Sequence, residues 1–146
     1  MHFNDNSKKN LPNCKSMYTN SDSLLNKRDE LQALLEIHDP DIVAITEISP
    51  KNCRYELNEC EISLQGYDLF HTLEQKGRGI ALYTKENMKA SVCEDLVSDF
   101  EESIFVECRA GAKKLTIGLV YRRGQSTPEN NDKLNKLILK AANKKT

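Results

Sequence analysis

The sequence predicts an α/β layered fold, and three observations carry that expectation. A strand, an amphipathic helix and a second strand follow one another near the start, a series of further strand candidates comes next, and helical period returns after the last of them. With 38% hydrophobic and 29% charged residues among 146, the composition is that of a folded domain with one core of useful size.

Residues 1–14 are rich in Asn, Lys and Ser, show no apolar period and read as a flexible arm. A short strand through Met17 and Tyr18 follows. Asn20-Ser21-Asp22-Ser23 then supplies turn and cap residues, and Leu24, Leu31, Leu34 and Leu35 recur at helical spacing up to His38, which is expected to cap the helix before Asp39-Pro40 breaks it. The run from Asp41 to Ile48 is almost continuously apolar and β-branched, as in a strand covered on both faces. Residues 50–65 are too polar to assign. Beyond Gly66, strands are expected at 67–72, 79–84, 90–93, 103–109 and 115–121. Thr127-Pro128-Glu129 provides an N-cap, a proline at the first helical position and an acid in the first turn, ahead of Leu134, Leu137 and Ile138. A helix therefore follows the last strand, and no linker or repeat divides the chain.

Several classes are set aside on composition. No apolar run approaches the roughly 20 residues of a membrane helix. The first ten residues lack the apolar centre of a secretory leader, so an intracellular setting, nuclear or cytoplasmic, is expected. The five cysteines, Cys14, Cys53, Cys60, Cys93 and Cys108, are scattered without a C-x-x-C pair and read as reduced thiols. The net charge of −1 conceals an asymmetry: residues 109–146 hold ten Lys or Arg against Glu129 and Asp132. That basic end suits phosphates, but Lys133, Lys136 and Lys140 equally suit the solvated face of a helix.

Two oxygen-bearing side chains stand at the carboxyl ends of expected strands, Asn20 after Met17-Tyr18-Thr19 and Glu47 after the run ending at Thr46. Sites in layered α/β folds gather there, and a carboxylate beside an amide suits Mg²⁺, which prefers oxygen ligands. A turn asparagine and a surface glutamate are the bland alternative.

Four ordered blocks extend this reading. Tyr18-Thr19-Asn20, continuing to Leu31, resembles the first motif of the endonuclease/exonuclease/phosphatase superfamily, and His38 to Glu47 resembles the second, which ends in a metal-binding glutamate. Gly77-Arg78-Gly79-Ile80-Ala81-Leu82-Tyr83 resembles its glycine-led core strand, and Thr116 to Arg122 the strand ending in an active-site tyrosine. The wording is most similar to the DNase I-like endonuclease domains of non-LTR retrotransposons, which nick target DNA. The resemblance implies a partial four-layer α/β sandwich with one sheet and flanking helices, residues 15–146 forming the N-terminal half of the domain. It implies Glu47 as ligand to catalytic Mg²⁺, Asn20 as a residue positioning that metal, and Tyr121 as a contact to the scissile phosphate. Arg122 and Arg123 would bind phosphate or DNA, or stand as solvated loop residues. Gly77-Arg78-Gly79 is read as a hairpin turn rather than a phosphate cradle, because no helix follows it.

The same resemblance implies that the family's Gly-Asp-Phe-Asn strand and later Asp–His pair are missing, and no histidine follows His71. Little turnover is therefore expected from this polypeptide alone, and an uncovered sheet face would favour self-association. Two alternatives stay open: a non-catalytic remnant that binds nucleic acid or a partner, and a phosphoesterase acting on a phosphoinositide or related ester.

Overall fold

A computed structural model describes residues 2–5, 14–53, 56–73, 77–96, 102–121 and 128–142. Strand β1 (His2–Asp5) pairs antiparallel with β2 (Lys15–Asn20), so this part of the stretch read as a flexible arm is a sheet edge. Backbone pairing needs no apolar period, which is why composition did not announce it.

A single turn of 3₁₀ helix, Leu24–Lys27, leads into α1 (Arg28–His38), and β3 (Ile42–Thr46) returns parallel to β2. His38 is the basic residue of the last turn of α1, and Asp39 is the cap residue: it adopts φ 46°, and its N–H donates to the Leu35 carbonyl at 2.9 Å. Within the unassigned stretch, α2 (Glu59–Ile62) is one turn closed by a capping box, Asn58 accepting from the Glu61 N–H at 3.2 Å while Glu61 accepts from the Asn58 N–H at 3.0 Å. Strands β4 (Tyr67–His71) and β5 (Ile80–Lys85) complete a sheet of order β1-β2-β3-β5-β4, in which only β2 and β3 run parallel.

The expectation of one sheet is corrected, because the later strands form a second. β6 (Ser91–Val92), β7 (Ser103–Ala110) and β8 (Lys113–Val120) are antiparallel neighbours in that order. β7 and β8 join through a two-residue turn in which Gly111 has φ 64°, the left-handed conformation such hairpins require. A sequence pattern identifies a strand but not its partners, so sheet number was beyond its reach.

Alternation along β3 and β5 explains the layers. Val43, Ile45, Ala81 and Tyr83 pack with Leu24, Leu31 and Leu35 beneath α1. Ile42, Ile80 and Leu82 point the other way and pack on Ile104, Val106, Cys108 and Leu119 of the second sheet. The near-continuous apolar run of β3 thus reflects burial on both faces, by a helix on one and a sheet on the other. A helix and a second sheet thus pack on the two faces of β3 and β5. A largely apolar cavity of about 410 Å³ remains between the sheets beside Cys14, Met17, Ile42, Leu115 and Ile117. After β8 the chain forms α3 (Pro128–Ala142). No described helix is long and apolar enough to cross a membrane.

Candidate functional site

Parallel pairing of β2 and β3 sets Asn20 opposite Thr46, so the two strands end side by side and Glu47 leaves the sheet next to Asn20. The backbone there is unusual. Asp22, Ser23 and Glu47 have φ of 44°, 86° and 54°, a region that side chains other than glycine seldom occupy. Local hydrogen bonds hold this geometry: the Ser21 hydroxyl donates to the carbonyls of Thr46 at 3.1 Å and Glu47 at 2.9 Å, and the Ser23 N–H donates to the Glu47 carbonyl at 2.9 Å. Strained backbone held in this way collects at functional sites.

The second sheet brings Tyr121, directly after β8, across to Glu47. Its hydroxyl donates to Glu47 Oε1 at 2.7 Å. Arg78 enters from the turn before β5, donating through Nη1 to Glu47 Oε2 at 2.7 Å and through Nη2 to Asp22 Oδ1. Two bonds register this turn against the segment after β3: Arg78 Nε donates to the Ser49 carbonyl at 3.0 Å, and the Ser49 N–H donates to the Arg78 carbonyl at 2.7 Å. Gly77 at φ 118° and Gly79 at φ 84° make the tight path around Arg78 possible. Beneath the cluster lies Glu102, 2% exposed, whose carboxylate accepts from the Gly79 N–H at 3.2 Å and whose carbonyl accepts from the Tyr121 N–H at 2.9 Å. One buried residue thus ties the arginine turn to the tyrosine.

The electrostatics follow from these contacts. The Tyr121 hydroxyl does most to hold the Glu47 carboxyl below the usual range, with Asn20 and Arg78 assisting against partial burial. Tyr121 is pushed up to about 12, first by its hydrogen bond to Glu47 and then by burial and the neighbouring carboxylates. Burial works against the charge on Arg78, but Asp22 and Glu47 outweigh it and raise its pKa. The hydrogen bond from Arg78 likewise lowers Asp22. At neutral pH the cluster is therefore two carboxylates, one guanidinium and a protonated phenol.

Asn20, Glu47 and Tyr121, chosen from the sequence, do converge. Arg122 and Arg123 lie outside the described residues. The glycine-flanked turn precedes β5 as expected, yet it delivers Arg78 into the cluster, and Arg78, Asp22 and Glu102 were not singled out. The clue to Arg78 was a charged residue between two glycines; Glu102 had no local signal. Among the described residues, no three His, Cys, Asp or Glu side chains converge as a metal cage. A cation here would rest on Glu47 and Asp22 with the amide oxygen of Asn20, an oxygen donor set suited to a partly hydrated divalent ion.

No protein-family model matches the chain, and no curated protein matches it. Among solved structures it is similar to an AP endonuclease, LMAP, from Leishmania major, with a TM-score of 0.57 and 14% identity over 86% of this chain. The chain spans 46% of the length of that protein. At this identity the likeness establishes the fold, which agrees with the DNase I-like architecture anticipated above.

Proposed function

We propose that the cluster around Glu47 is the cation-binding half of a Mg²⁺-dependent phosphodiesterase site of retrotransposon-endonuclease type, with DNA as substrate. The observation that carries this reading is the convergence of Asn20, Glu47 and Tyr121 from two sheets at the carboxyl ends of β2 and β3. A shared fold with an AP endonuclease supports it.

In this reading Glu47, Asp22 and the amide oxygen of Asn20 hold the ion, and the amide N–H of Asn20 orients Glu47 through their side-chain hydrogen bond. When bound, Mg²⁺ supplies Lewis-acid polarisation of a phosphoryl oxygen. Tyr121, protonated at all physiological pH, keeps Glu47 ionised and presents its hydroxyl edge to the phosphate. Arg122 and Arg123, next in the chain, contribute phosphate contacts. The described layers form part of a four-layer sandwich, with residues 15–146 as its N-terminal portion. The family's Asp/Asn and Asp–His motifs are not among the 146 residues. General acid–base assistance alone contributes about 10²–10⁴ in rate, so turnover by this polypeptide falls near or below detection.

Nicking of supercoiled plasmid with Mg²⁺, beside EDTA and Glu47→Ala controls, tests the proposal. Silence from folded protein is expected. Nicking that both controls abolish would overturn the half-site assignment, and nicking that persists in Glu47→Ala would overturn the role of Glu47. The basic balance of residues 109–146 favours a second reading, binding of nucleic acid without cleavage. A DNA mobility shift that survives Glu47→Ala and needs no Mg²⁺ would select it.

A further inference from the structure

Arg78 holds the carboxylates that the proposed ion would need. Its fork spans Glu47 and Asp22, while Nε is fixed on the Ser49 carbonyl at 3.0 Å. Arg78 is 26% exposed and Glu47 17% exposed, so this pair lies in a partly dehydrated setting where a charge contact outweighs an ordinary surface ion pair. The turn that carries Arg78 is itself anchored, by the Ser49–Arg78 backbone bond at 2.7 Å and by buried Glu102 under Gly79. Together these bonds hold the guanidinium beside both carboxylates.

From these contacts we propose that Arg78 is a built-in competitor for divalent cations at Glu47 and Asp22, and that the fork it gives up on cation binding is the phosphodiester receptor of the site. This deepens the cation-site reading above and rests on it. A divalent ion taking the two carboxylates breaks two charge-assisted hydrogen bonds and meets a fixed positive charge. The released Nη1 and Nη2 groups, still tethered through Nε, present two parallel donors of the geometry that phosphate oxygens accept. A phosphodiester binding the freed fork removes the competitor, so cation and phosphodiester each strengthen the other's binding, as linkage requires.

The test uses Mn²⁺ as the probe, with its affinity read by electron paramagnetic resonance on the full chain, with and without the dinucleotide TpT. Wild type is expected to bind Mn²⁺ weakly and to tighten when TpT is added. Arg78→Gln is expected to bind Mn²⁺ about tenfold more tightly and to ignore TpT, a change within the usual range of coupling between ligands. Arg78→Lys, which keeps the charge and serves as a second variant should the glutamine disturb the turn, is expected to stay near the wild-type Mn²⁺ affinity but to lose the TpT response. Equal Mn²⁺ affinity in wild type and Arg78→Gln, with both lost in Glu47→Gln, would overturn the competitor role and leave the cation site standing. Mn²⁺ binding that is absent throughout, or unaffected by Glu47→Gln, would overturn the cation-site reading and this inference together.

Discussion

The two ends of the β2–β3–β5 strands carry the same charge motif, one cation bridging two carboxylates, with different surroundings. At the amino end of β3, Lys85 Nζ contacts Asp39 Oδ2 at 2.9 Å and Asp41 Oδ1 at 3.6 Å. Asp41 also accepts from the Lys15 N–H at 2.9 Å, and backbone bonds link Asp41 to Lys15 and to Lys85. Every strand in that contact is already neighbour to the next, so the motif fastens strand ends. At the carboxyl end, Arg78 bridges Glu47 and Asp22, but an amide and a tyrosine from the other sheet are added, and left-handed backbone spreads over Asp22, Ser23 and Glu47 where the amino end has it at Asp39. A bridged carboxylate pair is thus ordinary structure when one sheet supplies it. Convergence of side chains from two sheets is what marks the other end as a site.

Substitutions at the two ends should separate these roles. Glu47→Gln is expected to abolish any Mg²⁺-induced rise in melting temperature, whereas Asp41→Asn leaves that response intact and lowers stability by about 1 kcal/mol, seen in urea melts. A melt in which both variants lose the Mg²⁺ response would dissolve the distinction.

Acidification sharpens it further. The folded-state pKa of Glu47 lies below its ordinary value of 4.5, so its ionised form favours the native state. That contribution is present in full above the ordinary value and is lost as pH falls through the folded-state value. Unfolding at about pH 6 and about pH 3.5 should therefore show wild type losing more stability than Glu47→Gln. Tyr121→Phe, which removes the largest cause of the shift, should shrink that loss. Identical pH profiles for wild type and Glu47→Gln would contradict the depressed carboxyl.

A last effect lies between the two ends, in the core. The Thr84 hydroxyl is buried with no hydrogen-bond partner among the described residues, so Thr84→Val is expected to raise stability by roughly 1 kcal/mol. A destabilised variant would mean that the hydroxyl is satisfied after all.

What could be read in advance followed from local periodicity. The β-branched run 42–46 and the leucines of α1 announce a strand and a helix because each buries a face defined by its own spacing. Asn20 and Glu47 were legible because strand ends are where α/β folds gather chemistry. Arg78 lies 31 residues from Glu47 and 56 from Asp22, and Glu102 lies 23 from Gly79. Their contacts exist only once the sheets have formed, and a polar residue in a turn carries no period to announce its partner. The second sheet escaped for the same reason, since β7 and β8 read as strands whether or not they join the first sheet.

The most direct test of the cation site is Mg²⁺ titration followed by amide NMR on ¹⁵N-labelled chain. Shift changes confined to Asn20, Asp22, Glu47, Arg78 and Tyr121, with Asp39, Asp41 and Lys85 quiet, are the expected result. Changes centred on Asp39 and Asp41, or none at either end, would contradict it.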